Sequence, residues 1–362
     1  MVESFVIYVT LIFVSVGLAE VARRSRQFGF VVYAIVLYAI LFGVRYDVGV
    51  DYLQYLFAYQ QPEDSMEVMR MEIGFRSIIL TFKAMGLHFT LFFAFVAFLQ
   101  LFLVFRSVKE LPEVYPFLMA AFMLACIWLS YANGLRQILS VTLFVMSLYY
   151  TDKKKIILSY MFILLAVLMH KSAMILVVFY PLFAIKRVWF SNVKNQVVLF
   201  LIALILSNVS ILDTFSEALD NVAAFMGYDY YMDDSYQELR EDEDLRIGLG
   251  FFINAAVNFF LILYSNKVKE EYKNSYLPIA YNLYFIGVLL NAVFISSQLV
   301  GRLNYYFYGL NFIVGGFTLA YLYKRSKFAF AALLLLYICV FVATLYRMEE
   351  NTALFKFFWD YV

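Results

Sequence analysis

Three arginines, Arg45, Arg136 and Arg302, stand in short polar knots inside otherwise apolar sequence, and His170-Lys171-Ser172 forms another such knot. A guanidinium is always charged and its planar fork matches phosphate oxygens, so three that meet would suit a ligand with more than one negative charge, such as a diphosphate. Taken singly, each would serve equally as an interfacial anchor or as the partner of Asp47, Asp51 or Glu72. The stretch Arg45-Tyr46-Asp47-Val48-Gly49-Val50-Asp51-Tyr52, followed by Tyr55 and Tyr59, sets carboxylates among aromatic rings. Carboxylates bind hydroxyls and accept protons, and rings stack on the apolar faces of sugars. The alternative is an aromatic belt with solvated charges. Gly49 would permit a tight turn that brings Asp51 back toward Arg45. His170 is a candidate proton acceptor, or else a side chain that satisfies a backbone carbonyl at a helix turn. A Ser-His dyad of Ser172 with His170 is disfavoured, because neighbours at one tip cannot easily meet in attack geometry.

Composition says where such residues have to live. The 362 residues are 64% hydrophobic, 20% aromatic and 15% charged, with a mean hydropathy of +0.78. Soluble chains carry about 25% charge, so this excess of apolar surface has to face lipid. A water-soluble enzyme, a nucleic-acid binder and a disordered chain are thereby excluded. The net charge of +1 carries little information. Cys126 and Cys339 both lie in apolar runs, which indicates neither a disulfide framework nor a thiolate metal site. The sequence has no Walker A loop, no dinucleotide-binding GxGxxG and no HExxH, and only two histidines. It therefore suggests no metal and no cofactor.

The elements that would position the knots follow from the apolar runs, at 2–18, 28–44, 87–105, 114–150, 156–185, 196–212, 247–264, 276–323 and 328–345. Crossing a hydrocarbon core of about 30 Å takes about 20 residues. The first run has Glu3 before it and Arg23, Arg24 and Arg26 after it, the reverse of a secretory signal, so it reads as a retained helix that starts outside. Runs 114–150, 156–185 and 276–323 exceed one crossing, and each has lysines or arginines at both ends, which belong in the cytoplasm. Each therefore reads as a hairpin, with its polar knot (Asn133 to Gln137, His170 to Ser172, Gln298 to Asn304) as the outward tip. Each half of run 156–185 is about 14 residues and rises about 21 Å, which would leave His170 recessed at the floor of an outward pocket.

Parity along the chain gives an all-α, polytopic protein with about twelve transmembrane helices and both termini outside. The whole chain, 1–362, reads as one transmembrane domain with external loops at about 45–86 and 213–246 and an aromatic tail, 346–362, suited to an interfacial anchor. Segment 73–86 is apolar but short and contains Arg76 and Lys83, so it reads as a re-entrant or interfacial helix. The second loop, rich in acid, also contains Tyr228, Tyr230, Tyr231 and Tyr236, a saccharide surface or a plain lid. With this topology Arg45, Asp47, Asp51, Glu72, Asn133, Arg136, Gln137, His170, Lys171, Ser172 and Arg302 all gather at the outer side. Ionisable groups at membrane depth are costly and functional by default.

In chain order, Arg45…Asp47-Val48-Gly49…Asp51-Tyr52, Glu72-Ile73-Gly74-Phe75, Leu135-Arg136-Gln137, His170-Lys171-Ser172-Ala173 and Gly301-Arg302-Leu303-Asn304-Tyr305 resemble the EpsG family of Wzy-like bacterial polysaccharide polymerases, over about residues 30–325. The resemblance implies a membrane glycosyltransferase, similar to the GT-C-like fold, in the bacterial cytoplasmic membrane. It implies the joining, on the external face, of oligosaccharide repeat units carried on polyprenyl diphosphate, for an exopolysaccharide, capsule or O-antigen. On that basis Arg136 and Arg302, supported by Arg45 or Lys171, would hold the diphosphate, and His170 or Asp51 would take the proton. Glu72 would orient sugar hydroxyls, and Asp47, Tyr52, Asn133, Gln137, Ser172, Asn304 and Tyr305 would line the substrate. Expected partners are the lipid-linked donor and acceptor, the bilayer, and chain-length regulator and export proteins, with no nucleic acid and no metal. A flippase or exporter without chemistry, and an external ligase using the same donor, are the alternatives.

Overall fold

The computed structural model describes residues 2–61, 68, 70–184, 188–206, 248–294, 298–346 and 354–361. Loop 213–246 with its four tyrosines, and residues 62–67 of the first loop, lie outside them. Regular structure among the described residues is helical, apart from one isolated bridge between Arg45 and Phe357.

Among the described residues, four helices are each long and apolar enough to cross a membrane: α1 (Val2–Ser25), α5 (Phe89–Ser107), α12 (Leu249–Glu271) and α16 (Lys327–Tyr346). A bent pair, α6 (Tyr115–Leu124, entered through a turn from Pro112) and α7 (Ile127–Asn133), passes the same test together with a bend of 69°. Shorter apolar helices α2 (Gly29–Gly43), α9 (Ile156–Met169), α11 (Val193–Leu206) and α13 (Leu277–Val293) pack among them. The remaining helices are α3 (Tyr52–Gln60), α4 (Ile73–Ala84), α8 (Leu135–Asp152), α10 (Met174–Ala184), α14 (Gln298–Asn304) and α15 (Asn311–Arg325). The outer faces remain apolar, with Phe13, Ile157, Val178 and Phe328 all exposed, as lipid contact requires. This is an all-helical, multi-pass membrane protein.

Each long apolar run breaks at its polar knot. Helix α7 ends at Asn133 and α8 begins at Leu135; α9 ends at Met169, and a short turn Lys171–Ala173 leads into α10; α13 ends at Val293, and α14 intervenes before α15. The bend between α6 and α7 is not visible in the pattern of apolar residues. It sits at Cys126, whose φ of 54° places a non-glycine residue in the left-handed region. Helix α9 has 14 residues, a rise of about 21 Å, so His170 at its end falls short of a full crossing.

Lipid supplies no hydrophobic drive between helices, so close backbones and hydroxyl contacts hold them. On the α8–α9 seam, Ser159 Oγ lies 2.7 Å from Thr151 Oγ1 and 3.2 Å from Ser147 Oγ, all three side chains buried. Two glycines set the arms of the polar region. A Cβ at Gly74 would meet the Leu168 carbonyl oxygen at 2.7 Å, so only glycine lets α4 lie on the end of α9. A Cβ at Gly287 would meet the Tyr308 nitrogen at 2.3 Å, and the Gly287 carbonyl accepts from Asn304 Nδ2 at 3.0 Å, which seats α14 and the following turn on α13. Because the obstructing atoms at Gly287 are backbone, Gly287→Ala is expected to destabilise the protein by about 1–3 kcal/mol, seen as a lower midpoint of thermal unfolding in detergent.

The two ends of the chain meet. Phe355 N donates to Ser4 Oγ at 3.0 Å, Tyr46 N to the Lys356 carbonyl at 2.8 Å and Phe358 N to the Val44 carbonyl at 3.0 Å. The aromatic tail, expected at the interface, is thus seated on the loop after α2 and buries Phe355, while Trp359 and Tyr361 stay exposed.

Candidate functional site

Helix α4 presents Glu72 just ahead of its first turn, α8 presents Arg136 and Gln137 in its own first turn, and the α9–α10 break presents His170, Lys171 and Ser172. These three arms converge on one carboxylate. Glu72 Oε2 accepts from Arg136 Nη1 at 2.8 Å, and Oε1 accepts from the Lys171 backbone N–H at 2.9 Å. The two side chains of the ion pair are 14% and 25% exposed, so the pair is shielded from bulk water yet open at one side. Burial works to raise the Glu72 pKa, but the positive charge of Arg136 and the Lys171 N–H outweigh it and hold the carboxyl below its ordinary value. A depressed carboxylate pKa means the pair is intact at neutral pH and is lost only as pH falls through that lowered value.

The fourth arm is α14. Gln137 Nε2 donates to the Arg302 carbonyl at 2.5 Å, which brings Arg302 into electrostatic range of His170. Asn304 is buried and anchored to Gly287, with its Oδ1 accepting nothing among the described residues; Tyr305 beside it is exposed. The loop after α2 borders the same region. Asn133 Oδ1 accepts from Asp51 N at 2.8 Å, and buried Tyr55 lies within the fields of both Asp51 and Arg136. Arg136 Nε is buried without a hydrogen-bond partner among the described residues, the kind of orphaned donor that a ligand anion would satisfy.

Arg45, Asp47 and Tyr52 are placed differently. Arg45 is fully buried: its guanidinium donates to the carbonyls of Phe42, Val48 (3.3 Å) and Ala132 (2.8 Å), and lies against the rings of Phe42, Tyr52 and Phe93 at 5.0–5.6 Å. Tyr52 is also buried, stacked on Phe93 with centroids 4.8 Å apart, and Asp47 Oδ2 lies 3.6 Å from Lys356 Nζ. Gly49 does turn the chain, with φ of 96°, but the turn caps Arg45 with the Val48 carbonyl and sends Asp51 to Asn133. The arginine therefore welds loop 45–51 to the end of α7.

Two residues beneath His170 escape a reading of the sequence. Tyr306, buried, touches Ser172 Oγ at 3.0 Å and Ser140 Oγ at 2.9 Å, and Ser172 Oγ lies 2.6 Å from His170 Nδ1. Ser140 follows Arg136 by four positions on one helix face, a spacing that could have flagged it. Tyr306 directly follows the Gly301–Tyr305 motif but has no signal of its own.

The half-buried Glu72 carboxylate thus ties Arg136 to the histidine turn, and Gln137 ties Arg302 to the same end of α8. The chain belongs to the EpsG family, a family of Wzy-like polysaccharide polymerases, whose family model matches residues 28–359. That span extends beyond the motifs at both ends and takes in the seated tail. No curated protein and no solved structure matches the chain significantly.

Proposed function

We propose that the protein joins lipid-linked oligosaccharide repeat units into polysaccharide on the external face of the bacterial cytoplasmic membrane, releasing polyprenyl diphosphate. The observation that carries this is the meeting of Glu72, Arg136, His170 and Arg302, drawn from four separate chain segments, in a member of a polymerase family. A hydroxyl at the free end of one lipid-linked glycan attacks the anomeric carbon of another. The new C–O bond forms as the anomeric C–O bond to phosphate breaks, and the electron pair leaves with the diphosphate. Diphosphate is a good leaving group, so the protein has to supply positive charge for it and a base for the hydroxyl proton. Arg136 and Arg302 provide the charge, with Lys171 at the rim, and no metal is needed beside fixed guanidinium groups. His170 takes the proton, with Asp51 as the other candidate. Glu72 aims Arg136 and meets sugar hydroxyls, while Gln137, Asn133 and Tyr305 border the substrate. Arg45, Asp47, Tyr52 and Asn304 support the walls.

External placement follows from the basic clusters at the opposite ends of the helices, with about twelve crossings and both termini outside. The contact of Phe355 with Ser4, which puts both ends on one side, supports an even number of crossings. A flippase would want acidic and basic groups distributed to both faces, whereas the charged knots that meet at Glu72 belong to one.

Incubating purified protein with a lipid-linked oligosaccharide separates the readings. A ladder of products is expected. Single transfer to a foreign acceptor would make it a ligase, and unaltered glycan would overturn the enzymatic reading.

A further inference from the structure

His170 belongs to a chain of hydrogen bonds whose direction follows from counting protons. Ser140 Oγ donates to the Ala166 carbonyl at 2.8 Å, and a carbonyl can only accept. Its one proton is thereby used, so the 2.9 Å contact between Ser140 Oγ and the Tyr306 hydroxyl is made with the tyrosine donating. That commits the Tyr306 proton, and the 3.0 Å contact with Ser172 is then made with Ser172 Oγ donating. Ser172 has no second proton for His170 Nδ1, 2.6 Å away. The imidazole has to supply it.

We infer that Ser140, Tyr306 and Ser172 hold His170 in the Nδ1–H tautomer and so reserve Nε2 as the nitrogen that accepts a proton. They are positioning residues, and the catalytic meaning of the tautomer rests on the polymerase reading. Nε2 makes no hydrogen bond among the described residues, which leaves it open to a ligand. The Ser172 backbone N–H approaches the same Nδ1 at 3.3 Å and would favour the opposite tautomer. Accepting it would strip the proton from one of four shorter contacts among buried groups, and a bond of that length is near the limit of usefulness. A neutral imidazole takes whichever tautomer its better hydrogen bond selects.

Only two histidines are present, so in a His88→Gln background a ¹⁵N-histidine label reports His170 alone. Nitrogen NMR of that protein is expected to show the neutral Nδ1–H form. Tyr306→Phe keeps the ring that packs edge-on against Phe144 but removes the acceptor of the Ser172 proton. Ser172 can then donate to Nδ1, and the label is expected to move to the Nε2–H form. Polymer formation by Tyr306→Phe is expected to fall by between about ten- and a thousand-fold, as for other enzymes whose base is held in the wrong tautomer. An Nε2–H form in the otherwise unaltered protein, or the same tautomer before and after Tyr306→Phe, overturns the inference. Thermal unfolding of the variant confirms that the folded state is being read. The tautomer is measured without any reaction, so failure of the polymerase reading would show separately, as an intact relay in a chain that makes no polymer.

Discussion

Arg136→Ala, present in the membrane at normal levels, is expected to abolish long polymer, with turnover reduced on the order of a hundred- to a thousand-fold, the usual cost of deleting one donor to a developing anion. The residue has two duties. It pairs with Glu72 at 2.8 Å, and its Nε is held without a partner among the described residues. Removing it leaves the Glu72 carboxylate half-buried without its ion-pair partner, so a displaced α4 would contribute part of the loss. Arg136→Lys separates the two effects. The lysine keeps a charge for Glu72 but lacks the planar fork that spans two phosphate oxygens, so folding should recover while polymer synthesis stays low. Glu72→Gln is the complement: the amide oxygen still accepts from Lys171 N–H, but the charge that aims Arg136 is gone. Polymer length and yield, normalised to membrane-inserted protein, read all three. Long polymer from Arg136→Ala would remove the diphosphate role.

The second large effect is expected at His170. His170→Ala takes away the proposed base and the ring that caps the Lys171–Ala173 turn. Turnover should fall by about a hundred- to ten-thousand-fold, the range in which general bases contribute, while binding of the lipid-linked donor is unaltered. A split of this kind, with turnover lost and donor affinity kept, marks an interaction made in the transition state. If His170→Ala keeps its turnover and Asp51→Asn loses it, the base is Asp51, whose backbone is held by Asn133 at the edge of the same cluster.

The polar knots were legible because a charged or amide side chain inside an apolar run has no inert place to sit in lipid. Gly134 and His170 do interrupt the runs, Gly49 does turn the chain, and Glu72 does meet Arg136. Arg45 was not legible. An arginine can face a ligand or satisfy carbonyls, and here one deciding carbonyl, Ala132, lies 87 positions along the chain. Tyr306 was hidden for the same reason, since its hydroxyl partners Ser140 and Ser172 are 166 and 134 positions away. The seat of the tail depends on Ser4, at a separation of 351. Helix packing joins such residues, and no local period announces them. The bend at Cys126 is equally silent, because an apolar helix and an apolar helix with a break have the same hydropathy.

On the proposed reading the cluster around Glu72 makes glycosidic bonds at the expense of the diphosphate link. Its most direct test counts both in one vessel, with the purified protein reconstituted into liposomes and supplied with lipid-linked oligosaccharide. One polyprenyl diphosphate is expected to be freed for each new glycosidic linkage, with products growing into a ladder and with both signals lost together in Arg136→Ala. Movement of the intact lipid-linked glycan across the bilayer, with no linkage formed and no diphosphate freed, would contradict the account.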